Sequence, residues 1–116
     1  MLNLNTSLTI QTIEPAEGHD EMVLRLTGQL AGDAAYMLRR AVEPVFMSPR
    51  PPQLKLMMEG VKYMDSSGVG TIVYIIKQMR DRGGKLEIHG LNEVGRELLQ
   101  ILRLASLKEV VTVSSD

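Results

Sequence analysis

Four consecutive residues, Asp65-Ser66-Ser67-Gly68, hold the side chains of this 116-residue chain best placed to do chemistry. An apolar run over 54–58 comes before them, and Val69, Ile72, Val73, Ile76 and Met79 follow at helical spacing. The tetrad therefore falls where a strand gives way to a helix. Aspartate and serine suit that place because their side-chain oxygens accept hydrogen bonds from the first unpaired backbone N–H groups. A helix start also favours an anion, by ~0.3–1 kcal/mol at an exposed site. A phosphate on Ser66 would thus be partly solvated by the backbone itself. The tetrad alone leaves two roles open. It is a capping turn that seats a helix on a sheet, or it is a phosphoacceptor turn whose added charge alters a surface and leaves the fold intact.

Other chemistries find less support. A serine nucleophile needs a base within hydrogen-bond reach, and the histidines are His19 and His89. A Ser66–His89 pair requires their strands to be parallel and to end together. The residues around Ser66 do not form the G-x-S-x-G elbow, and no third member stands out. There is no Walker A loop and no G-x-G-x-x-G. Metal ligands at useful spacing are absent, and with no cysteine there are neither disulfides nor thiolate sites. No catalytic residue, metal or cofactor is assigned. The chain reads as a protein on which enzymes act.

The flanking segments must position the tetrad. Residues 8–13 alternate apolar and polar, as a half-buried strand does, and 22–26 form a second strand after a turn punctuated by Pro15, Gly18 and Asp20. These two are expected to pair antiparallel. A polar turn over 28–33 follows, with Asp33 as the N-cap of a helix. Ala34, Met37, Leu38, Ala41, Val42 and Val45 make that helix's apolar face. Arg39, Arg40 and Glu43 fall off it, the basic pair being a solvated face or a docking contact. Pro44 predicts a kink or an end near Glu43. The stretch 48–52 is a stiff proline-rich connection. The third strand, 54–58, shows little polar alternation and is expected to be central and covered on both faces. The second helix spans about 67–82, with Ile75 at the margin of its stripe and Gly70, Thr71, Tyr74, Lys77, Gln78 and Asp81 opposite. Gly83-Gly84 ends it. A short strand over 85–89 follows. Asn92 then caps a further helix with Val94, Leu98, Ile101 and Leu102 inward and Gly95 weakening its first turn. A weak edge strand over 110–113 closes the chain, and 114–116 are expected to fray. The fold class is α/β: a mixed sheet of four to five strands with three to four helices packed on it, in one domain over 1–116.

Composition narrows the function. The formal net charge is −1, with 13 basic and 14 acidic residues, so no strong field points to nucleic acid or anionic membrane. One Phe and no Trp make an aliphatic core, in which the eight Met residues act as filler. The first residues lack the basic start and apolar run of a signal peptide. No run approaches the ~20 apolar residues of a membrane helix. The expectation is a cytoplasmic protein.

The octapeptide Tyr63-Met64-Asp65-Ser66-Ser67-Gly68-Val69-Gly70 resembles the signature of STAS domains, the family of bacterial anti-sigma factor antagonists. Leu26-Thr27-Gly28-Gln29-Leu30 looks like that family's second-strand signature, and Gly83-Gly84-Lys85-Leu86 like its turn into the next strand. The segment 98–111 is similar to its closing helix and final strand. The resemblance implies the same architecture, with the second helix and the loop leading into the first helix side by side on a partner-binding surface. It implies that Ser66 is phosphorylated and that Asp65 shapes the turn. Asp33, Ser67, Gly68, Gly70, Thr71 and Tyr74 would then meet the partner. That partner would be an anti-sigma factor serine kinase of the histidine-kinase-like ATPase fold, with a PP2C-type serine phosphatase reversing the mark. Regulated members often carry an acidic residue where this chain has Ala31, and Asp or Asn where it has Met57. Both are expected near the phosphoacceptor. These departures motivate an alternative: a non-switching interaction subunit of a signalling scaffold or a lipid-transport ABC complex. A hydrolase using Ser66 is the third reading, and a weak nucleotide site is implied by resemblance only.

Overall fold

The computed structural model describes residues 8–15, 17, 18, 20–90, 93, 96, 100 and 111–114. Five strands form one sheet in the order β1-β2-β3-β4-β5: β1 Leu8–Ile13, β2 Met22–Leu30, β3 Gln53–Met64, β4 Lys85–His89 and β5 Val111–Ser114. β1 pairs antiparallel with β2, and every later neighbour pairs in parallel. The sheet is therefore mixed, as expected. Helices α1, Asp33–Phe46, and α2, Ser66–Asp81, connect the parallel strands and pack against each other, so both cover the same face. Of the expected third helix, Asn92, Val94, Gly95, Leu98, Ile101 and Leu102 lie outside the described residues, as does His19. Within it Glu93, Arg96 and Gln100 are helical and exposed. Among the described residues, two complete helices are present where three to four were expected.

β2 and β3 are longer than the periodicity of their sequences suggests. The buried side chains of β3 are Leu54, Leu56, Met58, Val61 and Met64, so the inward step is two residues at first and then three, twice. The pairing with β2 accounts for this. Met22 is level with Leu54, but Leu30 is level with Met64, and register shifts lie between Arg25 and Thr27 and between Gly28 and Gln29. Each shift places an extra residue in β3 and re-phases its faces. A strict period-two reading therefore stops at Met58, six residues early. In β2 the segment over 28–30, expected to be a polar turn, is strand that ends on the fully buried Leu30.

β3 is central, but the described residues do not cover both its faces. Lys55 and Met57 are half-buried on the face away from the helices, where Lys55 Nζ lies 3.7 Å from both Glu21 Oε1 and Glu87 Oε2. The polar residue between Leu54 and Leu56 is thus a real alternation, and this side of the sheet is a solvated, ion-paired one.

Helix faces also differ in part from expectation. α1 buries Ala35, Leu38 and Val42, while Met37 is 53% exposed. Ile75, expected at the margin of α2, is fully buried with Ile72, Ile76 and Met79, and Val69 and Val73 are only partly covered. α1 runs through Pro44 to Phe46. Proline here removes one N–H within the last turn, and the Met47 N–H closes the helix by donating to the Pro44 carbonyl at 3.2 Å. Of the methionines, Met58, Met64 and Met79 fill the core, but Met47 is 80% exposed and Met37 is exposed as well. α2 closes at Gly83-Gly84 as expected. The N–H groups of these glycines return to the carbonyls of Arg80 (3.1 Å) and Met79 (2.7 Å).

Gly68 is the tightest point where helix meets sheet. A Cβ built on it would stand 2.0 Å from the Leu30 carbonyl oxygen and 2.7 Å from Met64 Cγ. Gly70, on the other side of the same turn, has nothing within 4 Å. Gly68→Ala is expected to lower the urea midpoint by the equivalent of ~1–3 kcal/mol, since backbone must move. Gly70→Ala is expected to raise it by up to ~1 kcal/mol through helix propensity alone. Equilibrium unfolding of the two variants checks both signs.

Candidate functional site

Parallel register builds the site. Leu30 and Met64, the last residues of β2 and β3, are level, so α1 and α2 begin side by side. Asp65 sits between them in an extended conformation as the N-cap of α2. Its Oδ1 accepts from the Gly68 N–H at 3.0 Å, and its Oδ2 accepts from the Gly32 N–H at 3.1 Å. One carboxylate therefore caps α2 and ties down the turn before α1. Asp33, expected to cap α1, is instead its first residue. Gly32 occupies the cap at φ 55°, a left-handed conformation that favours glycine, and makes no side-chain cap bond. Asp33 still suits its place, because a negative charge in the first turn complements the helix dipole.

The Gly68 hydrogen bond is the main cause holding the Asp65 carboxyl below its ordinary pKa. Partial burial opposes it, and the bond from Gly32 and the neighbouring N–H groups reinforce it. The carboxyl is thus ionised at neutral pH. A depressed folded-state pKa means the stabilisation is complete above the unfolded-state pKa and vanishes as pH falls through the folded-state value.

The other tetrad residues divide by face. Ser66 opens α2 and is exposed. Ser67 is exposed and lines a shallow cleft of about 340 Å³ between α1 and α2 with Asp33, Thr71, Tyr36 and Arg39. Gly68 does not face outward, contrary to expectation. It is buried against Leu30, because only a residue without a side chain lets α2 approach the end of β2. Gly70 is open. Tyr74 is half-buried and packs on the core, and its ring is covered by the Arg39 guanidinium, 3.7 Å from the ring centroid. Sequence reasoning left Arg39 on a general basic face and did not single out Tyr36, which is 59% exposed with Arg39 5.9 Å from its ring centroid. No periodicity on one helix could reveal the Arg39–Tyr74 pairing, since it crosses between two.

Met57, expected near Ser66, and His89, the one base weighed for it, are both distant. His89 and Met57 are level with each other on adjacent strands, and β3 continues seven residues beyond Met57 to Met64. At ~3.3 Å per residue both stand roughly 20 Å short of the site. His89 cannot serve as a base for Ser66, and the Met57 departure stands away from Ser66. A larger cavity of about 410 Å³ lies at the opposite, amino end of the strands and includes Asp20 and Arg50. These two form an ion pair that is about three-quarters exposed, so solvent screens it.

The STAS domain family model matches residues 10–115. The chain belongs to the STAS domain family. Among similar proteins is the anti-sigma-B factor antagonist of Bacillus subtilis (strain 168), 23% identical over 103 residues, covering 89% of this chain and 90% of that protein. The anti-sigma-B factor antagonist of Listeria monocytogenes is 27% identical over 97 residues, covering 84% of each. The fold of this STAS domain is shared with an anti-sigma factor antagonist from Mycobacterium paratuberculosis at a TM-score of 0.70 and 17% identity, over 99% of this chain and 92% of that one. It is shared too with SpoIIAA in its unphosphorylated form, at a TM-score of 0.67 and 20% identity, over 80% and 83%. No helix among the described residues of this STAS domain is long and apolar enough to cross a membrane.

Asp65→Asn keeps a cap for α2 but puts an amide where the Gly32 N–H needs an acceptor. The variant is expected to unfold at lower urea than wild type at pH 7. The gap should close as pH falls through the Asp65 folded-state pKa, where the wild-type carboxylate is itself protonated. Urea midpoints of both proteins from pH 7 down to pH 3 test this, and a gap independent of pH would contradict it.

Proposed function

We propose that this STAS domain is an anti-sigma factor antagonist whose docking surface is switched by phosphorylation of Ser66. The observation that carries the reading is the placement of Ser66: an exposed hydroxyl on the first residue of α2, on a turn that Asp65 pins from two sides. The names of its relatives support it, as does the fold shared with SpoIIAA, whose solved structures include a phosphorylated form.

Unphosphorylated, the domain binds an anti-sigma factor, a serine kinase of the histidine-kinase-like ATPase fold, and thereby frees a sigma factor. In the kinase complex the Ser66 Oγ forms a bond to the γ-phosphorus of ATP. The bond from that phosphorus to the β–γ bridging oxygen breaks, ADP leaves, and the hydroxyl proton passes to a base of the kinase. The phosphoserine carries roughly −1.5 to −2 charges at pH 7. The helix dipole favours it in the isolated domain. Enclosed in a docked interface, the same charge costs several kcal/mol unless paired. A loss of ~2.8 kcal/mol already lowers affinity about a hundredfold. A PP2C-type phosphatase restores the hydroxyl by hydrolysis: water adds to the phosphorus, the bond to Ser66 Oγ breaks, and inorganic phosphate leaves.

Ala31 favours a second reading, a constitutive interaction subunit, because the turn beside Asp65 lacks the acidic side chain that regulated members often carry.

The test uses each anti-sigma serine kinase encoded in the source genome, purified with ATP. One kinase is expected to add a single phosphate to wild type and none to Ser66→Ala, read by intact mass. Ser66→Asp should bind that kinase about a hundredfold more weakly than Ser66→Ala. Equal affinities would rule out the switch, and persistent failure to gain phosphate would favour the constitutive subunit.

A further inference from the structure

Arg39 is the unusual group on this surface. Its guanidinium lies over the Tyr74 ring at 3.7 Å and near Tyr36 at 5.9 Å. Among the described residues, no carboxylate, carbonyl or hydroxyl accepts a hydrogen bond from it. The other described arginines with ring contacts or ion pairs differ in this respect. Arg82 donates to Gln78 and to the Phe46 carbonyl, Arg50 to Asp20 and Arg80 to Asp81. Stacking holds the guanidinium over one ring face and leaves its in-plane N–H groups unused, which is the form that grips a planar oxyanion through two parallel bonds.

The surroundings select the oxyanion. Asp33 lines the same cleft, and the ionised Asp65 lies behind it across Gly32. The Asp33 carboxylate in the cleft disfavours a phosphate dianion at the guanidinium and leaves room for a single negative charge. Tyr36, 59% exposed, lies one turn before Arg39 on α1 and supplies apolar area that a docked protein would cover. Tyrosine and arginine anchors beside such area are the usual centres of protein interfaces.

We propose that Arg39, braced on Tyr74, is a specificity-determining anchor of the docking surface and takes an aspartate or glutamate side chain of the partner protein. This rests on the partner reading above and adds the chemistry that the partner must present.

The test measures binding of the purified anti-sigma kinase that recognises wild type. Arg39→Glu is expected to weaken it about a hundredfold and Arg39→Lys about tenfold, since lysine keeps the charge but loses the fork. Arg40→Glu, an equal charge change one residue along the exposed side of α1, should stay within about threefold. Unchanged far-ultraviolet circular dichroism and urea midpoint are required of each variant. One Asp→Arg or Glu→Arg change on the kinase should restore binding to Arg39→Glu. Binding of Arg39→Glu within twofold of wild type, a loss matched by Arg40→Glu, or failure of every charge reversal to restore binding each overturns the proposal with the kinase reading still standing. If no kinase binds even wild type, that reading fails and takes this one with it.

Discussion

The Asp65 carboxylate is the constraint on which the functional surface depends. It accepts from the Gly68 N–H with one oxygen and from the Gly32 N–H with the other. The first bond satisfies an orphan donor at the start of α2. The second crosses 33 residues to hold the turn before α1. Both helices thus begin from one fixed point at the carboxyl end of adjacent parallel strands. At their far ends Arg82 performs a similar duty, with its Nε donating to the Phe46 carbonyl and its guanidinium over the Phe46 ring. Between these two ties lies the groove that holds Ser67, Thr71 and Arg39.

A rigid mount suits a surface switched by charge. A phosphate on Ser66 would stand outside the packed core, since the buried neighbours of the turn are Gly68, Leu30 and Met64. The described core contains no buried polar or charged side chain whose pairing a phosphate would disturb. A change at the hydroxyl can therefore be read by whatever docks there and leave the scaffold as it was. The opposite face of the sheet, with Lys55 between Glu21 and Glu87, is solvated and stands apart from this surface.

Much of the architecture was legible in the residues. The hairpin, the alternation of helix and strand, the start of α2 at the tetrad and its end at Gly83-Gly84 all follow local rules of capping and period. The misreadings have one kind of cause. Register shifts let β3 run on through Glu59, Gly60, Lys62 and Tyr63, where a period of two breaks down. Gly32, not Asp33, occupies the cap of α1 because the donor that matters there is answered by a carboxylate from another turn. Gly68 and Gly70 look alike in sequence, yet one faces the Leu30 carbonyl and the other faces open space.

By itself the amino-acid sequence determined the order of strands and helices up to β4, that Ser66 stands at the start of its helix, and the family to which the chain belongs. Those are matters of hydrogen-bond capping and hydrophobic period, settled within a few residues of each other along the chain. Only the tertiary structure decided which face of the first helix meets the second, that Arg39 stacks on Tyr74, and that His89 and Met57 stand a long way from Ser66. Each of these depends on strand register and helix packing, which relate residues tens of positions apart and leave no periodic trace in either segment alone.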